Sequence, residues 1–390
     1  MELTLCCPTL FGLEGIVADE LRFGGRLTDV HAENGRVLFT GDENTLAWAN
    51  LNLRCAERVL IRIGTFKAKT FDQLFEGPWE QFIPADGAFP VKGHSLDSTL
   101  HSIPDCQKII KKAIVSRLGA KYGQTWFDEI GEKYQIQFAI MHDVAELYLD
   151  TSGAGLHKRG YRANSNAAPL RETLAAAMVK LARWRGRDPF LDPFCGSGTI
   201  AIEAAMIAQR RAPGLLRRFD AEKWSCFDKS VWQQARESAL DLAQPDAKFD
   251  IVGSDIDPDC VQLSIENARK AGVANTVFFE RADAVKRDYS GAGVLFANPP
   301  YGERLLDLQQ AEKLYADLGR ATKNSPMKQY LLSSDPLFER CYGRKADKRR
   351  KLYNGMIKCE LHMYFKDPSA QDKPVNKHSD RPSAKRPAKH

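Results

Sequence analysis

Cysteine pairs at metal or redox spacing are absent. Nine cysteines are scattered over 390 residues and none forms a C-x-x-C. Cys6 and Cys7 are adjacent and make poor joint ligands, so a disulfide framework and a zinc site are excluded in favour of reduced, cytoplasmic thiols. No apolar run approaches the ~20 residues that span a bilayer, and residues 1–7 carry neither a basic nor an apolar leader segment. No internal repeat occurs. A strict G-x-G-x-x-G is missing, as is the lysine of a phosphate-binding P-loop, which removes the ordinary nucleotide loops.

What is present is the composition of a globular chain of two or three domains, 43% hydrophobic and 27% charged. The net charge of +6 is concentrated. Residues 366–390 carry +4 and Arg344–Lys351 carry +5, which leaves the rest slightly acidic at about −3. Focused basic charge suits a nucleic-acid footprint, or else two solvated segments.

Residues 1–63 alternate short strands and helices. A strand at 4–6, a helix over 12–23, a strand at 37–39, a helix capped by Asp42 and a strand over 58–63 are expected. Residues 64–152 form a second unit, with a helix over 71–75 and strands over 88–91, 135–140 and 145–149. Its clearest element is the helix opened by Ser102 and Pro104, whose buried stripe is Cys106, Ile109, Ile110, Ala113, Ile114 and Leu118. Lys108, Lys111 and Lys112 fall on its other face, either a solvated surface or one turned to RNA. Gly155–Arg162 is a basic connection that includes Arg159 and Arg162. A helix from Pro169 follows, and strands and helices then alternate to residue 365. That order implies a parallel sheet with helices on both faces and ligands at the carboxyl ends of its strands, with room for an antiparallel edge. Residues 367–390 lack core residues and are expected to be disordered.

The later half is organised around Asp192-Pro193-Phe194-Cys195-Gly196-Ser197-Gly198-Thr199, which sits between a strand-like and a helix-like run. Two glycines two apart let the backbone turn sharply and lie close to a ligand, and a helix start offers free N–H groups. Asp192 opposes a phosphate but suits an ammonium group. The ligand is therefore read as zwitterionic, such as S-adenosylmethionine, with a bare strand–helix connection as the alternative. The strand over 249–253 ends in Ser254-Asp255-Ile256-Asp257. Asp255 is placed to accept both ribose hydroxyls, Ile256 to lie on adenine, and Asp257 to cap the next helix. Asp283 and Ala284 follow a strand over 276–280 and offer adenine a carboxylate and a backbone N–H; Asp283 as a plain turn residue is the alternative.

The fourth turn is Asn298-Pro299-Pro300-Tyr301. Two prolines hold it rigid. The Asn298 side chain and the Pro299 carbonyl are two fixed acceptors, which match the two hydrogens of an exocyclic NH2. Holding both hydrogens turns a conjugated lone pair towards a sulfonium methyl and stabilises the positive charge that develops on nitrogen. Tyr301 offers a ring face to a flipped-out base. No cysteine occupies this turn, which disfavours covalent carbon-5 methylation of pyrimidines.

At these four turns the chain resembles class I S-adenosylmethionine-dependent amino-methyltransferases. Leu100–Gln107 within 64–152 resembles a THUMP RNA-binding domain preceded by a ferredoxin-like subdomain. Gly160–Arg162, Asn298–Arg304 and Lys351–Gly355 resemble bacterial THUMP methyltransferases of the kind that modify guanine N2 in large-subunit ribosomal RNA. The resemblance spans all but the tail. It implies an α/β, Rossmann-like methyltransferase domain over 153–366 behind an α+β ferredoxin-like unit (1–63) and a THUMP unit (64–152). It implies S-adenosylmethionine held by Asp192, Phe194, Cys195, Gly196, Gly198, Thr199, Asp255, Ile256, Asp283, Ala284 and Asn298, with no metal. Acceptor chemistry falls to Asn298, Pro299, Pro300 and Tyr301. RNA is the implied partner, gripped by Lys108, Lys112, Arg159, Arg162, Lys345, Lys348, Arg349, Arg350 and Lys351. The second methyltransferase domain of some relatives is missing, so one modification is expected.

Other readings stay open at this point: methylation of guanine N2 in tRNA, of adenine N6 or of a protein glutamine amide, and a non-catalytic RNA-binding assembly factor. The aromatic and basic stretch with Arg210, Arg211, Arg217, Arg218, Phe219, Trp224 and Phe227 either lines an RNA entrance or packs over the sheet.

Overall fold

Among the described residues the strands form two seven-stranded sheets, and the two differ in kind. The computed structural model describes residues 1–70, 77–162, 170–300 and 308–365; the helix expected over 71–75, Pro169, Tyr301 and the tail lie outside them.

The N-terminal sheet contains β1 (Leu3–Pro8), β2 (Val30–Glu33), β3 (Arg36–Gly41), β4 (Leu60–Lys67), β5 (Val91–Leu96), β6 (Gln135–Met141) and β7 (Val144–Asp150), in the order β2-β3-β1-β4-β7-β6-β5. Its pairs are antiparallel except β5–β6. The expected boundary at 63/64 falls inside β4, which pairs with β1 on one side and with β7 on the other. The two expected units therefore share one continuous sheet. Side chains alternate across it, as the two-residue period of a strand requires. Leu5, Cys7, Val37 and Leu147 join a core with Val17, Leu46 and Ile110, from the segments of α1 (Glu14–Asp19), α2 (Glu43–Asn52) and α3 (Ile103–Tyr122). Cys6, Leu38, Leu60 and Tyr148 form a separate small cluster. Asp42 caps α2 by accepting the Thr45 N–H at 2.9 Å, and Gly123 ends α3 at φ 70°. The helix expected through Phe23 is α1 followed by a wider π-turn, Glu20–Gly24.

The C-terminal sheet contains β8 (Phe190–Asp192), β9 (Ile251–Asp255), β10 (Phe278–Arg281), β11 (Val294–Ala297), β12 (Lys328–Ser333), β13 (Lys348–Asn354) and β14 (Ile357–Tyr364), in the order β10-β9-β8-β11-β12-β14-β13. The first five are mutually parallel, and β14 runs antiparallel to both β12 and β13. Its helices are α4 (Glu172–Leu181), α5 (Thr199–Ala208), α6 (Lys229–Asp241), α7 (Pro258–Ala271), α8 (Leu308–Ala321) and α9 (Phe338–Tyr342). Phe190, Phe296 and Tyr330 stack across β8, β11 and β12 with centroids 4.8 and 4.9 Å apart. The basic run that ends at Lys351 is partly regular structure: Lys348–Lys351 open edge strand β13, because Ile357–Tyr364 pairs with it residue by residue through a hairpin turned at Gly355.

The insertion over 210–227 packs, and much of it joins the two halves. Trp224 is wholly buried, stacks on Tyr134 at 4.8 Å and donates its indole N–H to the Lys133 carbonyl at 2.9 Å. Arg217 donates to the carbonyls of Ser152, Ala154, Gly155 and Lys158. Phe219 and Phe227 are buried too, so these four side chains line no RNA entrance. Among the described residues no helix is long and apolar enough to cross a membrane.

Candidate active site at the strand ends

The carboxyl ends of the five parallel strands meet at one edge, and the order reverses between β8 and β11. Loops leave such a point in opposite directions and open a crevice. Asp192 ends β8, Asp255 ends β9, Arg281 ends β10 and Asn298 follows β11, so the fold brings the four turns together here.

Asp192 is wholly buried. Its Oδ1 accepts the Phe194 N–H at 3.3 Å, and its Oδ2 is buried with no partner among the described residues. Burial pushes its carboxyl up to about 8, offset in part by the Phe194 amide and reinforced by the nearby charge of Asp255. A buried carboxylate with one free oxygen is costly unless a cation meets it, and a ligand ammonium group fits that need.

The glycine turn is shaped by conformation and held from outside. Gly196 (φ 52°) and Gly198 (φ 79°) both occupy the left-handed region. A Cβ at Gly198 would lie 3.0 Å from Phe279 and from Ser264. The Gly196 N–H donates to Asp255 Oδ2 at 2.9 Å, the Gly196 carbonyl accepts the Ser264 hydroxyl at 2.8 Å, and the Ser197 carbonyl accepts from Asn267 at 2.9 Å. Ser264 and Asn267 lie on α7 and escaped the sequence reading, because nothing local marks a helix residue that reaches back about seventy positions. Thr199 opens α5 and its Oγ1 accepts from Arg162 at 3.3 Å. Cys195 is buried and its thiol is held well above the usual range by burial, so its backbone rather than its sulfur serves the turn. Phe194 is half-buried against the cluster of Leu191 and Tyr315.

Asp255 accepts the Gly196 N–H and, through Oδ1, the Asp257 N–H at 3.1 Å. A carboxylate has about four acceptor positions, so about two remain for a diol. Ile256 is 60% exposed, available to an aromatic base. Asp257 caps α7 through the Asp259 N–H at 2.9 Å. Asp283 accepts the Val285 N–H at 3.1 Å and pairs with Lys286 at 3.2 Å, the geometry of a turn residue, while the Ala284 carbonyl accepts the Tyr289 hydroxyl at 2.7 Å. Asn298 is half-buried, and its Oδ1 is a buried acceptor without a partner among the described residues. Pro299 is buried, and the Pro300 carbonyl accepts the hydroxyl of Tyr315 at 3.0 Å. Tyr315, a wholly buried residue of α8, thus pins the acceptor turn and also escaped the sequence reading. Its only sequence signal was its place on the apolar face of a helix.

The residues assigned to RNA divide into two groups. Lys108 and Lys112 are exposed on α3, and Lys345, Lys348, Arg349 and Lys351 are exposed at or near the edge strand. Arg159 is corrected: it is 2% exposed, pairs with Glu203 of α5 at 3.3 Å and donates to the carbonyls of Leu156 and Arg54, leaving nothing for a phosphate. Arg162 is corrected likewise, since it is committed to Glu172 at 3.1 Å, the Leu170 carbonyl and Thr199. Arg350 is half-buried and donates to the Gly12 carbonyl, so it braces the two halves. A charged residue in a basic run looks the same whether it faces solvent or a buried carboxylate; the partner Glu203 stands forty-four positions away.

Comparison with known proteins follows the same division. The RMKL-like methyltransferase domain matches residues 159–363, the RlmL ferredoxin-like domain residues 4–60 and the THUMP domain residues 68–150. "Putative RNA methyltransferase YpsC" of Bacillus subtilis (strain 168) is 44% identical over 93% of this chain and 96% of its own length. Ribosomal RNA large subunit methyltransferase K/L of Psychromonas ingrahamii is 35% identical over 94% of this chain, which spans 51% of that protein. The crystal structure of SMU.472 in complex with SAH is 40% identical with a TM-score of 0.88, covering 93% of this chain and 98% of that one. A Listeria monocytogenes protein described as a predicted N6-adenine-specific DNA methylase is 45% identical with a TM-score of 0.88, covering 93% and 96%.

Proposed function

The chain belongs to the THUMP-containing family of S-adenosylmethionine-dependent RNA methyltransferases built on an RMKL-like domain, and on that premise we propose that it methylates the exocyclic N2 of a guanine in large-subunit ribosomal RNA. The observation that carries this reading is the buried Oδ1 of Asn298 at the switch point, on the same strand-end edge as Oδ2 of Asp192, neither with a partner among the described residues. One free acceptor asks for an amine hydrogen and the other for a cation.

When bound, S-adenosylmethionine would supply an electrophilic methyl. Asp192 would hold its ammonium end, Asp255 the ribose hydroxyls, and Ile256 with the Asp283–Ala284 turn the adenine. Asn298 accepts one hydrogen of the target amine and the Pro299 carbonyl the other, which fixes the direction of the nitrogen lone pair. Both acceptors stabilise positive charge on that nitrogen as it develops. Tyr315 keeps the turn in place through Pro300. The half-length match to the K/L protein supports ribosomal RNA as substrate.

A second reading, adenine N6, is favoured by the description of the Listeria relative and uses the same acceptor pair. The test is methylation of total RNA from a strain lacking the gene, followed by nucleoside mass spectrometry. N2-methylguanosine at one position of large-subunit RNA is expected. N6-methyladenosine, or N2-methylguanosine in tRNA alone, moves the assignment to that product; RNA binding without any methyl transfer replaces the enzyme by a binding factor.

A further inference from the structure

The face of the N-terminal sheet that carries Cys6, Leu38, Leu60 and Tyr148 bears a groove of about 810 Å³. Its lining runs from Arg36 on β3 through β1, β4, β7 and β6 to Lys92 on β5, a lane across six neighbouring strands. At ~4.8 Å per strand spacing it is about 24 Å long. The floor is largely apolar, and Phe11, Leu96, Met141 and Val144 are exposed along it, at 61, 53, 42 and 36%. An apolar strip of that kind marks a binding surface. Its charges are asymmetric. Arg36 pairs with both Glu33 and Glu146, whereas among the described residues Arg62 and Lys92 pair with no carboxylate.

One end of the lane reaches the catalytic edge. Strands β12 and β13 both run antiparallel to β14, so β13 is parallel to β11 and its carboxyl end, at Tyr353, lies on the same sheet edge as Asn298. The Phe11 ring meets Tyr353 edge-on, with centroids 6.4 Å apart, and the Gly12 carbonyl accepts from Arg350. The lane thus opens onto the basic edge strand that carries Lys348 and Lys351.

We infer that this lane is the track for an unpaired segment of the substrate RNA, laid across the N-terminal sheet and passed over Phe11 and Tyr353 towards the acceptor turn; the inference rests on the RNA-methylating function proposed above. A duplex hides its base faces and offers only sugar and phosphate, for which an apolar floor has no use. An unpaired strand offers both base faces to Phe11 and the floor and phosphates to Arg62, Lys92 and the edge strand, the combination found in single-strand binding grooves. The lining's three cations, Arg36, Arg62 and Lys92, outnumber its two carboxylates, Glu33 and Glu146, and this excess favours a polyanion over an apolar protein segment.

The test is fluorescence anisotropy of the full chain with a labelled oligouridylate of about 12 nucleotides, against a duplex RNA of the same length. Phe11→Ala combined with Lys92→Glu is expected to weaken strand binding about tenfold or more, to flatten its salt dependence and to leave duplex binding, the melting temperature and S-adenosylmethionine affinity unchanged; Lys92→Arg keeps wild-type binding. Unchanged strand affinity in the double variant overturns the lane, as does an equal loss confined to Lys108→Glu with Lys112→Glu on α3. A change in sedimentation without a change in strand binding overturns it in favour of a contact between copies. Methyl transfer separates the two proposals. If the wild type modifies no RNA yet binds strands through the lane, the proposed function fails and the lane stands; if RNA is modified with equal kcat/KM by the double variant, the lane fails alone.

Discussion

The two sheets have the same number of strands and opposite ways of meeting a ligand. In the C-terminal sheet parallel strands require crossover helices, whose packing covers the faces, and polar chemistry is left to the strand ends, where Asp192, Asp255 and Asn298 collect. In the N-terminal sheet hairpins suffice for most pairs, and a broad groove with apolar floor and unmatched cations lies open across the strands. One sheet works at an edge and the other at a face. The junction around Trp224 and Arg217 holds them together, and Phe11 with Arg350 ties the face of one to the edge of the other.

The comparison breaks most severely if the junction is removed. Trp224→Ala is expected to cost ~3–5 kcal/mol in denaturant unfolding, as for other buried tryptophans; a loss near 1 kcal/mol means that the halves do not depend on this residue. Next is the edge chemistry. Asn298→Ala should lower methyl transfer about 10²–10³-fold, comparable to removal of one preorganised partner of a transition-state charge, with cofactor affinity by calorimetry within about twofold. Retained turnover removes Asn298 from the mechanism.

Asp192→Asn is expected to weaken S-adenosylmethionine about tenfold or more, since it removes a charge-assisted hydrogen bond of ~1.5–3 kcal/mol. Its pH signature is specific. In the free protein burial raises this carboxyl from 3.8 to about 8. The stability it contributes is fully present below its ordinary value and is lost as pH rises through the folded value, because the unfolded chain gives up the proton first. Without cofactor, the Asp192→Asn variant should therefore gain on the wild type in thermal melts as pH rises from 3.8 to about 8, while wild-type cofactor affinity rises with pH over the upper part of that window. Equal melting profiles contradict the buried carboxyl. The smallest effect belongs to the basic edge. Reversing Lys348 and Lys351 together should weaken RNA broadly and reduce the slope of log K against log salt by about 0.7 for each phosphate of a single strand that is no longer neutralised. An unchanged slope leaves these lysines as guards of an exposed sheet edge against pairing with another chain.

The four turns were legible because each is local. A strand end, two glycines, an acid and a helix start lie within eight residues, and Asn298-Pro299-Pro300 carries its stiffness in its own covalent structure. Helix α3 was legible for the same reason, through its apolar period and the Gly123 stop. Arg159 and Arg162 were misassigned because their partners, Glu203 on α5 and Glu172 at the start of α4, arrive only when those helices pack against the connection. That Lys348–Lys351 form a strand was not legible, because a polar edge strand lacks an apolar alternation and is defined by the hydrogen bonds of β14.

The sequence by itself determined what covalent geometry and short-range periodicity decide: the order of elements, the parallel character of the later half, and which residue types stand at each strand end. Only the tertiary structure decided how those residues are spent. It bound Asp255 to the glycine turn, set Ser264, Asn267 and Tyr315 behind the site, and left one oxygen of Asp192 and one of Asn298 buried with no partner among the described residues. It also made a single sheet of two expected units and left a lane across it. These outcomes depend on contacts between residues tens to hundreds of positions apart, and burial and pairing are properties of that arrangement rather than of any stretch of chain.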